Sequence, residues 1–405
     1  MKKTIHTQRS RRIELPPLRS GLAVLLLGLV LFPGEIIAVG LRLPNQDPEG
    51  IARGNAFAAT ADNPSAIYYN PAGISQLAGD QIQAGLYLIS ANTKYSSSTG
   101  DAQTDAGLQA VPQLYYTHAF ENTPFSAGLG IYAPYGLGMD WGDSPPFVAI
   151  AQKGKLLYAA INPVIAWRLH ETLSFAIGPT INYCEADFQN ASFKFKGDDF
   201  AFGFNAGLLW HPIEQWSFGL KFHSATDMDL SGNSEFPAFP GTSTATEGQA
   251  HFPYFIVAGV SYRPTTNWNI EVNVDWTDWD SLNTVNFDRQ GVGPLTVVPF
   301  VFNYQSSWMY EFGVTRQLGN GWFVSVGYIY SENSVPDADY NPIVPDSNLS
   351  LGSIGFGHRG QRWNWAIGYH FAHGNRDVTS ANNPLADGNY KTFNNAFNLS
   401  ATYKF

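Results

Sequence analysis

Along most of this chain apolar and polar residues alternate one for one, and the apolar rows carry no charge. Trp268, Ile270, Val272, Val274 and Trp276 fall on one face, while Asn269, Glu271, Asn273 and Asp275 fall on the other. A period of two places successive side chains on opposite sides of an extended backbone, so each such row reads as a strand with one apolar face. The pattern recurs in Leu173, Phe175, Ile177, Pro179, Ile181, Tyr183; in Phe200, Phe202, Phe204, Ala206, Leu208, Trp210; and in Trp216, Phe218, Leu220, Phe222. It returns in Trp322, Val324, Val326, Tyr328, Tyr330 and in Trp363, Trp365, Ile367, Tyr369, Phe371. The fold class is therefore all-β. A soluble sandwich and a membrane barrel both bury one face of each strand, so alternation alone does not choose between them.

Connection length chooses. Short links are expected near 121–124, 169–172, 211–214, 263–267, 317–320 and 358–361, and long ones near 91–109, 134–154, 187–198, 228–250, 281–303, 332–347 and 374–390. Strict alternation of long and short links joins fourteen antiparallel strands with short turns at one end and long loops at the other, as in bacterial outer-membrane barrels. A Greek-key sandwich has no reason to sort its loops in this way. The last strand agrees: Phe397, Leu399, Ala401, Tyr403 and the terminal Phe405 alternate with polar residues, resembling the signal that barrel-assembly machinery reads. Trp210, Trp216, Trp322 and Trp363 lie beside the expected short turns, where an interfacial aromatic girdle belongs.

Charge supports the same placement. Only 14% of the 405 residues are charged, against 44% hydrophobic and 15% aromatic, whereas soluble domains run near 25% charged. Much of the surface therefore meets something other than water, and outer-membrane lipid is the expected partner. A net charge of -10 with few Lys and Arg excludes a nucleic-acid binder, which needs clustered cations. The abundance of Phe, Tyr and Trp excludes a solvated disordered chain. The lone Cys184 excludes internal disulfides and CxxC metal sites.

Two segments precede the strands. Lys2, Lys3, Arg9, Arg11, Arg12 and Arg19 lead into an apolar run from Leu22 to Phe32 and small residues ending near Ala38, so residues 1–38 read as a secretory signal peptide. Residues 39–79 show no period of two and are punctuated by Pro48-Glu49-Gly50, Asp62-Asn63-Pro64 and Asn70-Pro71-Ala72-Gly73. A fourteen-strand barrel encloses more space than its own side chains fill. A segment this rich in Ala, Ile, Phe and Tyr is expected to fold back as a hatch inside a barrel formed by residues 80–405.

The faces opposite the apolar rows should line the lumen, and they are small and mildly polar: Ser174, Ala176, Gly178, Thr180, Asn182, Cys184 in one strand; Ala201, Gly203, Asn205, Gly207, Leu209 in another; Asn364, Ala366, Gly368, His370, Ala372 in a third. Arg168, Lys221, Glu271, Asp275 and Glu311 are the clear lumen charges. They do not form the ring of like charges that an ion-selective pore uses.

With these residues in view the chain resembles the FadL/TodX family of outer-membrane transporters for hydrophobic compounds. The likeness is carried by Gly40-Leu41-Arg42 through Ala56-Phe57-Ala58-Ala59, by Ala61-Asp62-Asn63-Pro64-Ser65-Ala66-Ile67-Tyr68-Tyr69-Asn70-Pro71-Ala72-Gly73, and by Gly128-Leu129-Gly130-Ile131-Tyr132-Ala133-Pro134-Tyr135-Gly136-Leu137-Gly138. It implies uptake of a fatty acid or an aromatic hydrocarbon by a monomer without cofactor. The cargo is caught in an outer apolar groove, passed to a pocket against the hatch, and released sideways through a kinked third strand. Sideways release suits an apolar solute, which gains by entering the bilayer and loses by entering water. The resemblance makes Asn70, Pro71 and Ala72 hatch residues controlling the gap. Pro134 cannot donate to a ladder, and Gly136 and Gly138 loosen the backbone just beyond it, so this stretch is the candidate kink. Arg168 and Lys221 face the lumen by alternation and are candidate partners for a ligand carboxylate. The loop at 134–154, with Trp141, Phe147 and Ile150, offers apolar residues for capture. Long-chain fatty acids are the first expectation, with aromatic hydrocarbons or a gated general porin as alternatives.

An enzyme is not expected. No GxSxG elbow is present, and His370 and His373 differ in parity, so they cannot share a metal across one strand face.

Overall fold

The computed structural model describes residues 41–405 apart from 106, 240 and 292–295; the expected signal peptide and the first two hatch residues lie outside the described residues. Fourteen antiparallel strands close into a barrel. They are β1 (Asp80–Ser97), β2 (Gln109–Ala119), β3 in two pieces (Phe125–Tyr132 and Gly136–Asp140), β4 (Lys153–His170), β5 (Leu173–Gln189) and β6 (Lys194–Ile213). Next come β7 (Trp216–His223 and Thr226–Glu235), β8 (Thr244–Phe252 and Phe255–Thr265), β9 (Trp268–Thr277) and β10 (Ser307–Gly319). The circuit ends with β11 (Trp322–Ser331), β12 (Leu349–Arg359), β13 (Trp363–Val378) and β14 (Gly388–Lys404). Each pairs with its sequence neighbour, and β1 meets β14 from Gln81↔Lys404 to Ser96↔Asn389. Closure leaves no sheet edge, which hydrocarbon would not tolerate.

The two strand faces separate as the alternation requires. Phe202, Ile177, Val272, Val326, Ile367 and Phe397 stand exposed on the outside, while Asn182, Asn205, Glu271, Asp275 and His370 are buried within. Exposed large apolar residues circle the whole barrel, which no soluble surface of this size shows. The short turns fall where expected. The long links divide differently: β5 and β6 run on as a polar-edged hairpin, so the link expected at 187–198 shrinks to residues 190–193, and that expected at 228–250 shrinks to 236–243. Backbone ladders continue beyond the apolar band because hydrogen bonding between strands does not need lipid on either face. Between β9 and β10 a small hairpin, Thr284–Arg289 with Val297–Val301, extends one side of the outer rim.

Residues 41–79 lie inside the barrel. Asp47 caps the one-turn helix Pro48–Ala52, accepting from the Glu49 and Gly50 amides at 2.9 and 3.2 Å. Asn70 caps a 3-10 turn, Pro71–Gln76, with Pro at its first position, where a missing N–H costs nothing. A second one-turn helix, Ala66–Tyr69, lies between them. The segment fits because wall strands present glycine where its backbone touches them. A Cβ at Gly219 would stand 2.0 Å from the Ala58 carbonyl oxygen, and one at Gly327 would stand 2.0 Å from the Gly54 nitrogen. Small lumen residues, read from the sequence as room for a plug, are the seats of that plug.

Candidate functional site

The lumen above the hatch is aromatic. Tyr135 packs on Tyr158, Phe252 and Trp279 with ring centroids 5.0–6.3 Å apart, and Phe147 packs on Tyr95 and Trp141. These rings are buried in one continuous apolar cluster with Leu137, Met139, Leu156 and Phe188. Outside it, among the long loops, an open groove of about 1100 Å³ is lined by Ile150, Phe193, Phe236, Phe239, Val298 and Phe300. The Arg289 guanidinium lies 4.1 Å from the Phe236 ring centre at its edge. The capture role foreseen for the loop at 134–154 is thus divided: Ile150 reaches the groove, but Trp141 and Phe147 turn inward and fill the lumen. Alternation could not foresee this, because the loop has no period.

Where the aromatic lumen meets the hatch stand two buried cations. Arg42, on the hatch, makes a bidentate pair with Asp275 of β9, both contacts 2.6 Å, donates to Thr277 at 2.6 Å, and lies 3.7 Å over the Phe255 ring. Lys221 of β7 is 2% exposed, with its Nζ 3.7 Å from the centre of the Tyr68 ring and 4.7 Å from that of Phe255. It forms no ion pair within 4.0 Å among the described residues. Of the carboxylates nearest it, Asp275 is committed to Arg42, and Glu311 accepts from Asn273 at 2.9 Å. Arg42, Lys221, Asp275 and Glu311 share one small cavity of about 10 Å³. The structure does not bring Arg168 and Lys221 together. Arg168 sits exposed at the short-turn end of β4 and donates to the Ser75 carbonyl oxygen. The second cation of this site is Arg42, which sequence reasoning placed in the hatch motif without a role.

The hatch is held to the wall by polar contacts. Asn70 Nδ2 donates to the carbonyl oxygens of Ala58 at 2.7 Å and of Leu208 on β6 at 3.0 Å, and its Oδ1 accepts from the Ala72 amide. Pro71 lies against Gly207 of the same strand. Asn205 donates to the Ile67 carbonyl at 3.0 Å and to Asn162 at 2.8 Å. The fully buried Asp47 carboxyl accepts from Asn63 at 3.2 Å and from Gln83; burial, with Glu49 as a like-charged neighbour, pushes it up to about 7.

The wall itself is broken at one place. The β2–β3 ladder runs only from Ala119↔Ser126 to Leu114↔Ile131, so the outer half of β2, residues 109–113, has no partner on that side among the described residues. Here β3 is interrupted at 133–135, and against β4 its three residues oppose two, a bulge that carries Pro134. The extra residue inverts the alternation and turns Tyr135, Leu137 and Met139 into the lumen. Gly136 and Gly138 lie in the resumed strand. Hatch residues take the place of β2: Leu43 N–H donates to the Pro134 carbonyl at 2.8 Å, Gly136 N–H donates to the Leu41 carbonyl at 2.8 Å, and Gln46 Nε2 donates to the Ala133 carbonyl at 2.7 Å. Asn70 and Pro71 sit against β6 rather than in this pairing, and Ala72 is buried in the apolar cluster that includes Tyr132, Ala160 and Ala176. The apolar–polar–apolar triplet Leu41-Arg42-Leu43 was the sequence signal of a short pairing strand, too short to read alone.

A closed barrel with a lipid-facing apolar exterior, an aromatic lumen and a folded plug defines a plugged outer-membrane transport protein. Comparison with known proteins agrees: residues 30–405 match the model of the outer membrane protein transport protein family (OMPP1/FadL/TodX), and the chain belongs to that family. It is 22% identical to the long-chain fatty acid transport protein of Escherichia coli O6:H1 over 82% of this chain and 85% of that one. It is 23% identical to the 47 kDa outer membrane protein of Pasteurella multocida over 93% and 96%. In fold it is similar to a Pseudomonas aeruginosa FadL homologue (TM-score 0.81, 17% identity, 90% of this chain and 100% of that one). It is also similar to the Ralstonia pickettii toluene transporter TbuX (TM-score 0.72, 14% identity, 90% and 99%). The protein is an outer-membrane transporter of hydrophobic compounds and not an enzyme.

Proposed function

We propose that the cargo is a long-chain fatty acid, taken from the outer groove into the aromatic lumen and released sideways between β2 and β3. The observation that carries this reading is Lys221, a buried amino group without an ion-pair partner among the described residues, where the aromatic lumen meets the hatch. A buried charge is costly unless paired, and a ligand carboxylate arriving through the aromatic lumen supplies the partner while its alkyl chain stays among the rings above. Arg42 stands beside it in the same small cavity. In this reading residues 41–46 close the side opening, the bulge at Pro134 with Gly136 and Gly138 behind it shapes the opening, and Asn70, Pro71 and Ala72 anchor the hatch that carries the closing segment. Arg168 serves the hatch at the short-turn end rather than the ligand.

The relatives named above include a fatty acid transport protein and a toluene transporter, so aromatic hydrocarbon is the second reading. The wall of rings around Tyr135, Tyr158, Phe252 and Trp279 favours it. Binding of radiolabelled oleate and toluene to the purified protein in detergent, wild type against Lys221→Met, separates the two. A charge-assisted hydrogen bond contributes about 1.5–3 kcal/mol, so oleate affinity is expected to fall by about ten- to 150-fold with toluene binding unchanged. Oleate affinity that survives the substitution overturns the role of Lys221. Saturable toluene binding without oleate binding transfers the assignment to hydrocarbons.

A further inference from the structure

On the short-turn side of the hatch, away from the aromatic lumen, a second and polar cavity of about 70 Å³ lies between the hatch and the ends of five consecutive wall strands. The hatch contributes Arg53, Glu49, Thr60 and Asp62; the wall contributes Arg263 from β8 and Arg359 from β12. Three guanidinium groups border a space that holds one phosphate-sized ion or about two waters.

The carboxylates nearby are already engaged. Arg359 Nη1 donates to Asp62 at 2.8 Å and its Nη2 to Asp62 and Glu49, so both hatch carboxylates turn to β12. Glu271 accepts from the Thr60 hydroxyl and from the Ala59 amide at 2.8 Å. Arg53 is left over. It is 3% exposed, its Nε and Nη2 are buried without a hydrogen-bond partner among the described residues, and it lines this cavity. A guanidinium has five donors and no acceptor, and leaving such donors unmet inside a protein costs more than any net gain from burying it. Thr315 of β10 and Ser325 of β11 also line the cavity; their hydroxyls are bonded to each other at 2.8 Å, which leaves one of the two protons free to donate.

We propose that this cavity is a binding site for a small oxyanion of the phosphate or carboxylate class, which completes Arg53 and ties the hatch to β8 on the short-turn side. A planar or tetrahedral oxyanion accepts several N–H bonds at once, the fork geometry that guanidinium presents. Barrel strands separate the cavity from the bilayer, so the ion is a free solute and not a lipid headgroup. The site is distinct from the cation pair of the transport route: Lys221 and Arg42 line a different cavity.

The test is thermal unfolding of the full folded protein in detergent, titrated at constant ionic strength with sodium phosphate, sodium acetate or sodium chloride, together with equilibrium dialysis against radiolabelled phosphate. A saturable rise in melting temperature with phosphate or acetate, one ion bound per barrel, and at least a tenfold loss of affinity in both Arg53→Gln and Arg263→Gln support the site. Phosphate alone identifies a tetrahedral ligand, and acetate alone a carboxylate. If neither ion does more than chloride, or if binding is unchanged in both variants, the proposal fails. Should Arg53→Gln not fold, Arg263→Gln at the partly exposed rim decides alone.

Discussion

Replacing Gly327 with alanine puts a methyl carbon 2.0 Å from the Gly54 nitrogen and 2.2 Å from the Arg53 carbonyl carbon. The nearer contact is about 1.4 Å short of the 3.4 Å at which ordinary contact begins. Both obstructing atoms are backbone, so no rotamer change relieves the clash; either β11 bows outward or the first turn of the hatch lifts away. The strand is tied by continuous ladders on both sides, to β10 and β12, whereas the hatch has no ladder beside Gly54 and is held by scattered hydrogen bonds and, at residues 41–43, by two backbone bonds to β3. The hatch is therefore the part that yields. Overpacking of this kind costs about 1–3 kcal/mol, which raises the population of a locally undocked hatch by about five- to 150-fold. Hydrogen–deuterium exchange of residues 48–59 in the folded protein measures that directly, and Gly219→Ala, whose methyl would meet the Ala58 carbonyl oxygen at 2.0 Å, is expected to behave alike. Gly352→Ala is the control, since nothing lies within 4 Å of its Cβ position. If exchange in the Gly327 and Gly219 variants matches that of the control, the glycine seats do not position the hatch and the account of how the plug fits is wrong.

Arg42→Ala leaves Asp275 buried without its partner, a loss of about 3–5 kcal/mol; exchange of residues 41–46 should quicken, and adding Asp275→Asn should restore part of the protection. Val326→Arg places a charge on the lipid face midway along β11, and the expected cost of about 2–4 kcal/mol should appear as reduced refolding into phospholipid vesicles. Asp47, ordinarily near 3.8, is pushed up to about 7 in the docked hatch. The docked state therefore binds the proton more tightly, its advantage is full below the unbound value, and it is lost as pH rises through about 7. Hatch exchange corrected for intrinsic rates should quicken from pH 4.5 to 8, and Asp47→Asn should flatten that dependence; an equally steep profile in the variant would show that another group titrates.

Much of this molecule was legible in order along the chain. Rows such as that over residues 268–276 determined which face meets lipid, because a strand in a closed barrel can bury only one side in hydrocarbon and the price of a charge there is steep. The count of strands came from where the rows stop, and the terminal Phe405 and the aperiodic segment before Asp80 completed the outline of a plugged barrel. Even Lys221 could be assigned to the lumen by parity alone.

What parity could not supply is which lumen residues meet across the barrel. Arg42 and Asp275 are separated by 233 positions, and no local pattern marks their pairing. Only closure of the sheet brings β7, β9 and the hatch around one cavity, and only the glycine seats fix how deeply the hatch sits. The side opening is likewise tertiary: a bulge at Pro134 inverts the alternation, and the gap beside it exists because β2 and β3 part company there, not because of any residue type. A repeating chemical period writes one-dimensional information, namely faces, ends and order. Charge pairs, seats and openings depend on the distance between elements far apart in sequence, and that distance is decided when the barrel closes around its plug.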